Sequence, residues 1–304
     1  MSTPRPLRSP DEALGSLPGF PWAPHYVDVP DAKYGSLRMH YLDEGPADGR
    51  VVVLLHGQGC WSYAFRNFIA PLTQAGLRVI APDYIGFGRS DKLLECEDYS
   101  FQSHLDWLSA FFDRLQLRDV TAYCFDWGGF FALRLAGERP ELFARLVLSN
   151  TMLPLGQAGG GREWFLRWRE EQFALPRFPQ GEMVNSGVVH KLSPDIIAAY
   201  DAPYPDESYK TGPRRFPMIL PIWPEDPACV ANRLAWENLA RWDKPVLTVY
   251  AASLGSGSMG PGALLRHIPG TRGQPHALLE SAGFYIIEDQ SAELAQRIGE
   301  SALA

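Results

Sequence analysis

The sequence predicts an α/β fold, a mostly parallel eight-stranded sheet with helices on both faces and one inserted helical cap. Three observations carry this. Short, wholly apolar runs such as Val51-Val52-Val53-Leu54-Leu55 recur along the chain, as expected of strands buried on both faces. They alternate with glycine-bearing loops and stretches of helical periodicity, the pattern of right-handed βαβ units. From about residue 151 to 240 the alternation stops, and at 246 it resumes.

Taken in order, residues 1–24 are Pro-rich and read as a loosely attached arm. Residues 25–29 and 37–43 read as two antiparallel strands. The run at 51–55 ends in His56-Gly57-Gln58, and the run at 77–82 ends in Asp83-Tyr84-Ile85-Gly86-Phe87-Gly88. Residues 101–115 carry helical periodicity, 120–125 form the next strand and 145–149 the one after. The interruption is rich in Pro, Trp and Arg, with helical pieces at 162–173 and 194–200. The layout is therefore an arm (1–24), a core (25–150 and 241–304) and a helical cap (151–240) inserted after the sixth strand. Residues 246–250 and 277–280 give the last strands and 291–303 the last helix.

Composition narrows the function. The chain has 304 residues, 46% of them hydrophobic, enough for a sizeable core. A formal net charge of -7 argues against nucleic acid or an anionic membrane as partner. No apolar run reaches the roughly 18 residues that span a bilayer, and residues 1–10 show no secretory signal. Cys60, Cys96, Cys124 and Cys229 lie far apart without CxxC spacing, which points to reduced thiols in a cytoplasmic protein and to no metal site. No cofactor is expected. The expected partner is a hydrophobic small-molecule substrate, and the expected assembly a monomer or weak dimer.

The most informative stretch is Tyr123-Cys124-Phe125-Asp126-Trp127-Gly128-Gly129. An apolar strand turning sharply into a helix with glycines at the bend is a nucleophile elbow. Its apex here is a carboxylate, Asp126, which suits attack on a saturated carbon bearing a leaving group. Asp126 as an ordinary helix N-cap is the simpler alternative, but the flanking loops agree with an elbow. Serine chemistry fails because the apex is aspartate.

With these motifs and Ala81-Pro82-Asp83, Arg89-Ser90-Asp91-Lys92, the cap segment Ala199-Tyr200-Asp201-Ala202-Pro203-Tyr204-Pro205-Asp206 and Arg241-Trp242-Asp243-Lys244-Pro245, the chain resembles haloalkane dehalogenases of the α/β-hydrolase superfamily from about residue 25 to 300. The elbow and glycine loops are shared with epoxide hydrolases. The resemblance implies an α/β-hydrolase fold and attack by Asp126 on a carbon–halogen or epoxide carbon–oxygen bond. It makes Trp127 and Trp168 donors to the departing charge, with Trp164 the rival for Trp168. The backbone N–H groups of Gln58 and Trp127 would form the oxyanion hole, and the Gln58 amide would add a donor. Trp61, Phe65, Trp164, Phe165, Trp168, Tyr200, Phe284 and Tyr285 are expected around a hydrophobic substrate.

The second half-reaction departs from the family. The family's histidine follows the last strand in a Gly-His-Phe turn; here the text is Ala282-Gly283-Phe284-Tyr285. Phe284 cannot take a proton. The orienting acid belongs after residues 246–250, yet no Asp or Glu occurs from 251 to 276. His56 reads as a brace for its turn, and His190 as a solvated cap residue. Three readings stand. The enzyme has a changed mechanism with Asp126 as nucleophile or general base, or it forms an alkyl ester and stalls, or it is a non-catalytic binding protein for an apolar ligand.

Overall fold

A computed structural model describes residues 5–156, 162–255 and 260–304. Among these, eight strands form one sheet in the order β1-β2-β4-β3-β5-β6-β7-β8. The strands are β1 (His25–Asp31), β2 (Gly35–Glu44), β3 (Val51–Leu55), β4 (Arg78–Pro82), β5 (Val120–Phe125), β6 (Phe143–Ser149), β7 (Val246–Ala251) and β8 (Ala277–Leu279). β1 and β2 run antiparallel, and all pairs from β4 through β8 are parallel. The helices are α1 (Arg66–Gln74), α2 (Phe101–Arg114), α3 (Trp127–Glu138), α4 (Arg162–Ala174), α5 (Gln180–Ser186), α6 (Pro194–Asp201), α7 (Thr211–Ile219), α8 (Pro227–Leu239), α9 (Gly262–His267), α10 (Ile286–Asp289) and α11 (Ser291–Leu303). Five of them, α4 to α8, lie in the interval between β6 and β7 that the sequence marked as an insertion.

Two apolar layers hold the sheet. On one face α2, α3 and α8 contribute Phe111, Phe131 and Leu239. On the other, Phe68, Ile69 and Leu72 of α1 share a cluster with Leu294 and Ile298 of α11. Those spacings place each set on one face of its helix. α2 starts on a reciprocal cap: Ser100 Oγ accepts from the Ser103 N–H at 3.0 Å, and Ser103 Oγ from the Ser100 N–H at 2.9 Å.

The arm is not loose. Leu7 and Lys92 exchange backbone hydrogen bonds of 2.8 and 3.0 Å. Ser9 Oγ donates to Pro203 O at 2.7 Å and accepts from Lys92 Nζ at 2.9 Å. Leu14 and Phe20 are buried. Proline content suggested loose attachment, but two well-spaced apolar side chains and one buried lysine fasten the arm.

His104 on α2 is fully buried among Tyr99, Phe131 and Phe216, and neither ring nitrogen has a partner among the described residues. Burial pushes its pKa down to about 3. The unfolded chain gains a proton that the folded chain refuses, so stability is lost as pH falls from about 6.5 toward 3. His104→Phe keeps the ring and removes two unpaired polar atoms, each costing about 1–3 kcal/mol when buried. The variant is expected to melt higher, with the gain larger at pH 5 than at pH 7; equal melting at both would refute this.

Candidate active site

Asp126 sits between β5 and α3 with φ 50° and ψ -115°, a conformation that costs a non-glycine residue strain and persists only where the surroundings enforce it. Enforcement is visible. Its N–H donates to Ser149 O at 3.3 Å, and its carbonyl accepts from Thr151 Oγ1 at 2.6 Å. A Cβ on Gly128 would lie 2.3 Å from Leu55 O, so only glycine lets α3 descend onto the sheet here. A Cβ on Gly57 would lie 2.6 Å from the Asp126 Cβ, so only glycine lets the loop after β3 close over the carboxylate.

That loop delivers the first donor. The Gln58 N–H donates to Asp126 Oδ2 at 2.8 Å. The carboxyl is 4% exposed, and burial raises its pKa to about 7, against the opposing pull of the Gln58 and Trp127 backbone N–H groups. Desolvation thus outweighs two hydrogen bonds. The Gln58 side-chain amide donates to Pro213 O at 3.0 Å, tying the loop to α7.

Asp126, Gln58 and Trp127 open onto a cavity of about 980 Å³ between the sheet and the insertion. Its wall includes Trp164, Phe165, Trp168, Phe284 and Tyr285, as expected from the sequence, together with Phe130, Met152 and the Leu220-Pro221-Ile222 turn, which were not anticipated. The Trp127 indole stacks on Phe216 with ring centroids 4.2 Å apart. Trp164 and Trp168 stack on each other at 6.1 Å, one turn apart on α4, and both line the cavity.

Trp61, Phe65 and Tyr200 were expected around the substrate but do not line this cavity. Trp61 turns under the arm against Phe20 and Tyr63. Phe65 packs on Phe68 and Tyr123 in the layer below. Tyr200 donates to Glu288, whose carboxylate holds both terminal nitrogens of Arg66 at 2.6 Å.

The turn carrying Phe284 is firmly placed. Asn150 Nδ2 donates to Phe284 O at 2.8 Å and to Gly283 O at 3.3 Å, while its Oδ1 accepts from the Ala251 N–H at 3.0 Å. The Tyr285 N–H donates to Gly187 O at 3.2 Å. Phe284 packs edge-on against Phe125. Sequence reasoning missed Asn150; a polar residue closing the apolar run of β6, at the carboxyl edge of the sheet, was the available signal.

Among the described residues no histidine lines the cavity. The His56 Nε2 accepts from the Tyr84 N–H at 3.3 Å and its Nδ1 lies 3.1 Å from Gly57 O, so it braces its own loop. His190 is exposed, His267 meets Trp236 O at 2.6 Å, and His276 meets Thr271 O at 2.7 Å. In the loop after β7, Leu254 reaches the wall; residues 256–259, part of the acid-free stretch, lie outside the described residues.

Comparison with known proteins agrees with this geometry. Residues 50–185 match the alpha/beta hydrolase fold family. The haloalkane dehalogenase of Mycolicibacterium paratuberculosis is 47% identical over 292 residues, covering 96% of each chain. That of Psychrobacter cryohalolentis is 45% identical over 290 residues, covering 95% of each. The structure of haloalkane dehalogenase DpaA from Paraglaciecola agarilytica, described as tetrameric, superposes with a TM-score of 0.86 at 32% identity, covering 96% of this chain and 97% of that one. A strained carboxylate elbow under an apolar, tryptophan-lined cavity, with relatives of this identity along nearly the whole chain, places the protein in the haloalkane dehalogenase family of α/β-hydrolases, and it is a hydrolase.

Proposed function

We propose that the protein attacks the halogen-bearing carbon of a hydrophobic substrate through Asp126, and that the resulting ester is long-lived. The observation that carries this is the Asp126 carboxyl itself, strained at the elbow, held by the Gln58 N–H and opening on an apolar cavity whose wall has phenylalanine at position 284. One carboxylate oxygen attacks the carbon. The carbon–halogen bond breaks, the halide leaves with the bonding pair, and an oxygen–carbon ester bond forms. The Trp127 indole N–H, with Trp168 across the cavity, offers donors where that charge develops. The other carboxyl oxygen keeps its backbone donors, which preorganise the ester carbonyl.

Hydrolysis of the ester needs a base to take a proton from water. Losing a positioned base typically costs about 10²–10⁴ in rate. Phe284 offers none, and the Tyr285 phenol, pushed well above its usual pKa by burial, is a donor at neutral pH. The insertion between β6 and β7 acts as the cap that excludes bulk water from the ester.

Intact-protein mass spectrometry after incubation with a bromoalkane tests this. The expected result is one alkyl mass per chain, localised to Asp126, with one equivalent of bromide released. Because only the carboxylate attacks, the rate of adduct formation should rise with pH and level off above about 7. Bromide release in large excess over protein with no adduct would overturn the stalled ester. Turnover of an epoxide without adduct would favour Asp126 as a base toward water.

A further inference from the structure

Among the described residues, the cavity wall has two carboxyl groups, of Asp126 and Glu182, and one guanidinium, of Arg162. Glu182 is exposed on α5, and Asp126 lies at the floor. Arg162 opens α4. Its guanidinium lies 4.6 Å above the Trp223 ring, and one terminal nitrogen donates to Gly156 O at 3.3 Å. No carboxylate pairs with it among the described residues. The neighbours outside the described residues, 157–161, read Gln-Ala-Gly-Gly-Gly and carry no acid; neither do residues 256–259.

An arginine has five N–H donors in a planar fork suited to a carboxylate. Trp223 fixes the plane of this fork from one face, and Gly156 O occupies one donor. The remaining donors border a cavity that is otherwise mainly apolar. We propose that this cavity selects amphiphilic substrates, halogenated alkyl chains that end in a carboxylate, with the carboxylate held by Arg162 and the halogen-bearing carbon brought to Asp126. The position of the halogenated end rests on the reading of Asp126 as nucleophile; the Arg162 contact does not. The cavity volume of about 980 Å³ accommodates a medium-length chain with room to spare.

Calorimetric titration with octanoate and octanamide, which share a chain and differ in charge, separates the two. Octanoate is expected to bind at least about tenfold more tightly to the wild type, since charge-assisted hydrogen bonds are the stronger kind, and Arg162→Met should erase that ratio. The ratio in the wild type should also shrink as salt is added, a readout that survives if the variant fails to fold. Equal binding of the two ligands, a ratio unchanged in Arg162→Met, or a ratio indifferent to salt overturns the proposal. ω-Bromooctanoate then addresses the other end. If octanoate is preferred and ω-bromooctanoate leaves no alkyl mass on Asp126, the nucleophile reading fails while the Arg162 contact stands.

Discussion

Asp126→Asn is expected to abolish alkylation and, in the same molecule, to raise the melting temperature. The first effect follows from chemistry: an amide oxygen is a poor nucleophile, and removing the attacking group of a site of this kind costs at least about 10⁴ in rate. The second follows from burial. Folding raises the Asp126 pKa from 3.8 to about 7. Between those values the unfolded chain has released the proton and the folded chain has not, so folded stability falls as pH rises through this window and is level above it. At 4% exposure little solvent screens the group, and the penalty above pH 7 is about 4 kcal/mol. Asparagine removes the charge and keeps an oxygen for the Gln58 N–H, at the cost of housing an NH₂ group, so a net gain of about 2–4 kcal/mol is expected at pH 8. Thermal melts of both proteins at pH 4 and pH 8 check it. A variant no more stable than wild type at pH 8 would contradict the raised pKa, and one that still acquires an alkyl group would remove Asp126 from the chemistry.

The second large effect is expected at Glu288. Its carboxylate is buried, grips Arg66 through two bonds of 2.6 Å and accepts from the Tyr200 hydroxyl. It thereby joins the start of α1, helix α6 of the insertion and α10, three residues beyond Tyr285. Glu288→Ala leaves the Arg66 cation buried and unpaired, which costs about 3–5 kcal/mol. Replacing both charges, Arg66→Met with Glu288→Leu, should recover much of that loss, because two buried ions carry desolvation costs that a well-packed apolar pair does not. Chemical denaturation of the two singles and the double is the measurement. A single substitution costing less than 1 kcal/mol would mean the charges are solvated in solution.

The architecture was legible in the sequence because parallel strands buried on both faces announce themselves as unbroken apolar runs, and because glycines mark where loops meet the nucleophile. Gln58 lies on such a loop and Asp126 and Trp127 at the turn into α3, and the structure brings the three together. Direction was not legible. Trp61 follows the Gln58 loop closely in sequence, but with φ -150° its chain extends away and the indole faces the arm. Tyr200 sits in a segment that matches the family, yet its side of α6 meets Glu288 rather than the cavity. Neither a composition nor a motif reveals which face of a short helix looks inward. Part of the cavity wall was also hidden, since Leu220-Pro221-Ile222 belongs to no periodic element.

The shared cluster of α1 and α11 bears on how the chain is made. α1 is complete by residue 74, but the side chains of Leu294 and Ile298 that cover its apolar face are synthesised more than 200 residues later. During that interval Phe68, Ile69 and Leu72 remain a sticky surface, the kind that holding chaperones recognise. Folding is therefore expected to finish only after α11 leaves the ribosome, and the yield of soluble protein should depend more steeply on the rate of translation through its last third than through its first.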